Sequence, residues 1–189
     1  MRKIIILLLM GILLSAGLFT GCGGQDTDQD TGKNKAGNPA DFTSFQTTDI
    51  YGNEINQDIF KDYDLTMINV WGTFCGPCVE EMPFLGELQK EYKEKGVNIV
   101  GIVVDVQDNN LKVIEKQVKL AKEITETTGA DYTHMIVSPE MIDAKLGEIA
   151  SIPATFFVDS KGNFVGETYI GSREKKDWTA IIEEKLGEE

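Results

Sequence analysis

The hydrophobic positions of this chain change their spacing several times, and each change marks an element. Leu65 to Trp71 is an apolar run of the kind carried by a strand buried on both faces. From Val79 to Lys95, Met82, Leu85, Leu88 and Tyr92 recur at helical spacing among Glu and Lys, and Gly96 ends the run. Pro83 inside that helix predicts a kink. Val97 to Val106 reads as a second buried strand, and Leu111 to Thr128 as an amphipathic helix with Leu111, Ile114, Val118, Ala121 and Thr125 on one face. A short strand is predicted at Thr133 to Val137. Ser138-Pro139 then reads as an N-cap with proline at the first helical position, opening a short helix to about Gly147. Ala154 to Asp159 and Phe164 to Gly171 form a predicted hairpin through Ser160-Lys161-Gly162-Asn163. Ser172 is expected to cap a last helix whose inner face is Trp178, Ile181, Ile182 and Leu186. Upstream, Phe42 and Phe45, then Asp49 to Ile55, predict two short strands around Gly52-Asn53.

The resulting order is an α/β layered architecture with a parallel first half and an antiparallel hairpin last. The segment before Asp41 has a different character. Met1-Arg2-Lys3 is basic, Ile4 to Leu14 is apolar apart from Gly11, and every residue from Gly23 to Lys35 is glycine, polar or charged. So short an apolar run reads as a secretory leader, since a membrane-spanning helix needs about 20 apolar residues. Thr20-Gly21-Cys22 resembles the lipobox of bacterial lipoproteins, in which the cysteine receives diacylglycerol and becomes the mature N-terminus; Phe19 stands where leucine is more usual. The expected organisation is a lipoprotein signal peptide at 1–21, a lipidated tether at 22–40 and one globular domain at 41–189. A flexible tether of about 18 residues has an r.m.s. reach of roughly 24 Å.

Charge narrows the function classes. The formal charge of −13 becomes −15 once Arg2 and Lys3 leave with the signal peptide, and that balance repels phosphate backbones, which counts against nucleic-acid binding. A closed zinc site needs four ligands. One close cysteine pair and the single His134 do not supply them, so no metal is expected. His134 itself is read as a surface or edge residue without a role.

The chemistry concentrates at Val70 to Pro83. Cys75 and Cys78 lie at a strand-to-helix junction, separated by Gly76 and Pro77, and a C-x-x-C pair there is a redox signature. Cys75 falls at or just before the helix N-terminus, where unpaired N–H groups and the positive dipole end favour a thiolate. Cys78, one turn further in, is close enough to form a disulfide with it. Glu81 follows Cys78 by three residues on the same helix face. A carboxylate there raises a neighbouring thiol's pKa and is also able to accept its proton. The alternative reading of Glu81 is a surface charge.

Trp71-Gly72-Thr73-Phe74-Cys75-Gly76-Pro77-Cys78, with Ile152-Pro153-Ala154-Thr155-Phe156-Phe157 downstream, resembles the thioredoxin fold. The N-terminal hairpin, Glu81-Met82-Pro83 after the second cysteine, and the added segment before Pro153 narrow the resemblance to TlpA/ResA-like extracytoplasmic thiol–disulfide oxidoreductases. The resemblance covers about residues 40–188. It implies a mixed sheet flanked by helices, with an N-terminal β-hairpin extension and a central inserted segment. It places the catalytic groups at Cys75, Cys78 and Glu81, and substrate contacts at Trp71, Phe74, Gly76, Pro77, Ile152 and Pro153. Pro153 then follows a cis bond beside the cysteines, the Ile152 backbone pairs with a bound chain, and Trp71 packs against the active-site turn. Asn69 stands where many thioredoxins carry a buried acid.

The implied activity is dithiol–disulfide exchange with disulfide-containing proteins, using no cofactor beyond the Cys75–Cys78 disulfide. Gly76-Pro77, and an aliphatic residue before Pro153, are those of reducing thioredoxins. A reductant outside the cytoplasm, at the bacterial cell membrane, needs a membrane thiol transporter of the CcdA/DsbD type as donor; apocytochrome c or a methionine sulfoxide reductase are the implied clients. The rivals are an oxidising isomerase, a non-catalytic thioredoxin-fold lipoprotein, and a peroxidase. A peroxidase signature ending at Cys75 would require Pro at 68 and Thr at 72, where this chain has Ile68 and Gly72.

Overall fold

In the computed structural model the described residues are 41–187. The leader, Cys22 and the tether lie outside them. A short antiparallel pair, β1 (Gln46–Thr48) and β2 (Glu54–Asn56), precedes the main sheet. Then follow β3 (Leu65–Trp71), α1 (Gly76–Tyr92), β4 (Val97–Val103), α2 (Glu115–Thr128), β5 (Thr133–Ile136), α3 (Pro139–Ala144), β6 (Ala154–Asp159), β7 (Phe164–Ile170) and α4 (Lys175–Leu186). The sheet order is β5-β4-β3-β6-β7. β3, β4 and β5 run parallel, while β6 is antiparallel to both β3 and β7. This is the expected mixed thioredoxin-like sheet, with the hairpin at its N-terminal side.

β3 is central and every residue of it is buried, which explains its unbroken apolar run. One face of the sheet packs Met67, Ile99 and Phe157 against Leu85, Leu88 and Tyr92 of α1 and Trp178 and Ile182 of α4. The opposite face packs Ile68, Val70, Val100, Ile102 and Phe156 against Phe42, Phe45, Phe60 and Met141. The extension therefore closes the second face, and it also covers a sheet edge: the backbone N–H of Ile50 donates to the carbonyl of His134 in β5 at 2.9 Å.

Several boundaries differ from expectation. β4 ends at Val103 and α2 begins only at Glu115, so Leu111 and Ile114 are not helical. The Asp108 carboxylate accepts the N–H groups of Asn110 and Lys112 at 2.9 and 3.0 Å, and Leu111 sits at φ 59°, a combination that closes a turn and delays the helix. The last helix has Glu174, not Ser172, at its N-cap position, with no side-chain capping bond there, and the backbone N–H of Arg173 just before it donates to Glu81. α1 starts three residues earlier than its apolar periodicity shows and stays helical on both sides of Pro83.

Candidate active site

β3 delivers the chain to Gly72, where a turn closes with the N–H of Cys75 donating to the Gly72 carbonyl at 3.0 Å. Cys75 is the N-cap of α1, with extended backbone, and its Sγ accepts the N–H of Cys78 at 3.3 Å. The sulfur thus occupies the place of the oxygen in an ordinary capping residue, and the helix N-terminus that favours a thiolate acts directly on it. Cys75 and Cys78 are joined by a disulfide with Cα atoms 5.3 Å apart. Cys75 is 7% exposed and Cys78 fully buried, so only Cys75 is open to attack by a partner.

The start of β6 comes alongside because Ala154 pairs with Val70 in β3. The Ile152–Pro153 bond there is cis. Ile152 packs on the apolar cluster that holds both cysteines. A Cβ on Gly72 would lie 2.9 Å from the Phe74 ring and 3.1 Å from Ile152 Cδ1, so these two side chains flank Gly72 and a larger residue there would displace them. Phe74 is 74% exposed directly before the nucleophile, and Gly76 and Pro77 are exposed as well. Trp71 differs from its expected role as a substrate contact: it is fully buried, so it supports the turn from beneath and offers no surface to a partner.

Glu81 is not a surface charge. It is 1% exposed and accepts three N–H donors: Asn69 Nδ2 at 2.9 Å, the backbone of Arg173 at 3.1 Å and Trp178 Nε1 at 3.3 Å. Burial pushes its carboxyl above the ordinary range, and the three donors and the Arg173 charge pull the other way. Asn69, buried in β3, thus passes a hydrogen bond to an acid on the next helix.

Residues 35–182 match the Redoxin family model. The chain belongs to the redoxin family. Relatives of this redoxin include two proteins named thiol–disulfide oxidoreductase ResA. That of Bacillus thuringiensis subsp. konkukian is 30% identical over 169 residues, covering 88% of this chain and 84% of the relative. That of Bacillus cereus is 28% identical over 165 residues, covering 87% and 84%. Among solved structures, a thiol:disulfide interchange protein of the thioredoxin family from Chlorobium tepidum superposes with a TM-score of 0.64 at 29% identity, covering 79% of this chain and 97% of that one. StoA from Bacillus subtilis shares the fold, with a TM-score of 0.55 at 19% identity over 75% of this chain and 98% of that one. The redoxin is a TlpA/ResA-like thiol–disulfide oxidoreductase, and its chemistry is exchange through Cys75 and Cys78.

Two residues around the site of this redoxin were not legible as parts of it. His134 lies on the edge strand β5 but is buried: its Nδ1 accepts the Trp71 indole N–H at 3.1 Å, and its Nε2 lies 3.0 Å from the Ala130 carbonyl. Burial lowers its pKa to about 4, so it is a neutral prop for Trp71. Asp105, just past β4, holds Thr73 two residues before Cys75, accepting from both its N–H, at 3.0 Å, and its hydroxyl. The only advance signal was an acid at the C-terminal end of a parallel strand, where open α/β sheets place their sites.

Proposed function

We propose that this redoxin is a reductant of protein disulfides, tethered by lipid on Cys22 to the extracytoplasmic face of a bacterial cell membrane. The observation that carries the direction of the reaction is Glu81, buried one helical turn beyond Cys78. A thiol pair becomes oxidising when its thiolate is stabilised. A carboxylate on the buried side disfavours the thiolate, raises the thiol pKa and keeps the potential low. Gly76-Pro77 and Ile152 before Pro153, the residues of reducing thioredoxins, support the same direction.

In the cycle the Cys75 thiolate attacks one sulfur of a substrate disulfide, whose S–S bond breaks and releases the first substrate thiol. Cys78 then gives its proton to Glu81 and attacks Cys75 Sγ. The second substrate thiol leaves and the Cys75–Cys78 disulfide remains, two electrons having passed to the substrate. Exposed Phe74 and Pro77 supply an apolar landing beside Cys75, and the Ile152 backbone pairs with the substrate chain. A membrane thiol transporter of the CcdA/DsbD type restores the dithiol, and apocytochrome c or an extracytoplasmic methionine sulfoxide reductase are the clients. The leader, Cys22 and the polar tether support the location.

Equilibration against a thioredoxin or glutathione couple tests the direction. A potential near about −270 mV is expected; one above about −180 mV would make the protein an oxidising isomerase instead. Metabolic labelling with a fatty acid tests the anchor: label on the wild type and none on Cys22→Ser is expected, and label on neither removes the lipid.

A further inference from the structure

We propose that Asp105 is a positioning residue for the exchange reaction: its carboxylate clamps Thr73 and thereby fixes the turn that presents Cys75. The proposal rests on the exchange chemistry alone and not on its direction. One oxygen of Asp105 accepts the Thr73 N–H at 3.0 Å, the other accepts the Thr73 hydroxyl, and Gln117 Nε2 from α2 reaches the same oxygen at 3.3 Å. A carboxylate suits this place because its two oxygens accept a backbone and a side-chain donor at once, in charge-assisted bonds.

The clamp is worth having only if what holds it is itself fixed, and the loop between β4 and α2 is tied at both ends. Val104 N–H donates to the Trp71 carbonyl at 3.0 Å, and Ile114 N–H donates to the Val106 carbonyl at 2.8 Å. Between them, Gln107 Nε2 donates to the Leu111 carbonyl at 3.0 Å, and the Asp108 turn holds Asn110 and Lys112. The delayed start of α2 is therefore part of the site. Had Leu111 to Ile114 joined the helix, as their periodicity suggests, the Val106–Ile114 backbone bond that braces Asp105 would be lost.

The same carboxylate adds a negative charge to the nucleophile's side of the turn. Asp105 brings its charge to the loop that holds Thr73, two residues before Cys75, and Glu80 and Glu81 follow Cys78 on α1, with the backbone of Arg173 from the β7–α4 connection donating to Glu81. The apolar cluster that holds both cysteines includes Trp71 of β3, Val118 and Ala121 of α2 and Ile136 of β5, with Ile152 of the proline loop packed against it, all uncharged. Asp105 thus opposes the helix N-terminus at Cys75 and restrains the thiolate.

Asp105→Asn keeps the shape and removes the charge; Asp105→Ala removes the clamp. In the reduced protein, alkylation of Cys75 by iodoacetamide, located by peptide mass, is expected to be about three- to tenfold faster at pH 6 in Asp105→Asn, with its pH profile moved to lower pH. Its thermal midpoint is expected to stay near that of the wild type. Asp105→Ala is expected to lose about fivefold or more in kcat/KM for insulin reduction, and Thr73→Val, which keeps the charge and the backbone bond, to lose less without moving the alkylation profile. Should Asp105→Ala misfold, the other two variants carry the test. Wild-type turnover in folded Asp105→Ala would overturn the proposal; should that variant misfold, so would wild-type turnover in Thr73→Val together with an Asp105→Asn alkylation profile that superposes on the wild type.

Discussion

The Trp71 indole donates its N–H to His134 Nδ1 across 3.1 Å, which settles the state of a histidine 63 residues away. An indole nitrogen only donates, so Nδ1 must accept, and the proton resides on Nε2, facing the Ala130 carbonyl at 3.0 Å. Protonating the ring forfeits the Trp71 bond. With a folded pKa of about 4 against the ordinary 6.5, the unfolded chain binds this proton first. Stability from His134 is therefore complete above about pH 6.5 and lost as pH falls toward 4, by up to about 3 kcal/mol. Glu81 has the opposite sign: its raised pKa makes its contribution largest below about pH 4.5 and smaller as pH rises. Urea unfolding at pH 7 and pH 4.5 is expected to show a steeper loss in the wild type than in His134→Gln. Parallel losses would remove His134 from the account.

Gly101 of β4 pairs with Asn69 on one side and His134 on the other. A Cβ there would lie 2.3 Å from His134 Nδ1 and 3.1 Å from Trp71 Nε1, inside the hydrogen bond itself. Gly101→Ala is expected to cost about 1–3 kcal/mol by overpacking. Adding His134→Ala removes the clashing ring, so the double variant should lose less than the sum of the two single losses in denaturant unfolding. Strict additivity would mean that Gly101 is required for some other reason.

The parts of the site that were legible are those written in contiguous residues. Cys75 and Cys78 announce themselves by a fixed spacing after an apolar strand, and Ile152-Pro153 by its place before another. What escaped notice depends on contacts across the fold. The three donors to Glu81 come from β3, from the β7–α4 connection and from α4, so its place on the Cys78 face of the helix was legible while the hydrogen bonds that bury it to 1% exposure were not. Asp105 and Thr73 are 32 residues apart and meet only because β3 and β4 lie side by side. The misplaced start of α2 has a local cause: apolar spacing at Leu111 and Ile114 imitates a helix face, while one carboxylate at Asp108 holds the backbone in a turn.

Replacing Glu81 separates its charge from its shape. Glutamine can turn its oxygen to Arg173 and Trp178 and its nitrogen to Asn69, whose own amide turns over, so Glu81→Gln should cost under about 1 kcal/mol. Leucine leaves the donors of Asn69, Arg173 and Trp178 unpaired, at about 1–3 kcal/mol for each one that stays buried. Both variants lack a proton acceptor beside Cys78. Resolution of a mixed disulfide is expected to slow by at least about 100-fold in stopped-flow measurements of Glu81→Gln. A wild-type resolution rate in that folded variant would leave Glu81 with a purely structural part.

Cys78→Ser keeps the buried residue's size and removes its sulfur. Cys75, the more exposed of the pair, still attacks, but nothing displaces the partner. Cells expressing Cys78→Ser should accumulate a client on Cys75 that dithiothreitol releases, whereas Cys75→Ser should hold none. Capture by Cys75→Ser and none by Cys78→Ser would place the attacking sulfur at Cys78, against their burial.

The two faces of Phe74 make different demands. The ring is 74% exposed, yet its edge contacts the Gly72 backbone region opposite Ile152. Exposed aromatic area next to a nucleophile contributes through the substrate it covers, not through the core. Phe74→Ala should therefore leave the unfolding midpoint nearly unchanged and raise KM for a protein disulfide by about 5–30-fold, the equivalent of roughly 1–2 kcal/mol of lost apolar burial. The rate with dithiothreitol, too small to reach the ring, should stay at the wild-type value. A matching fall in the dithiothreitol rate would mean that Phe74 holds the Cys75 turn instead of receiving the substrate, and would move its role to that of Thr73.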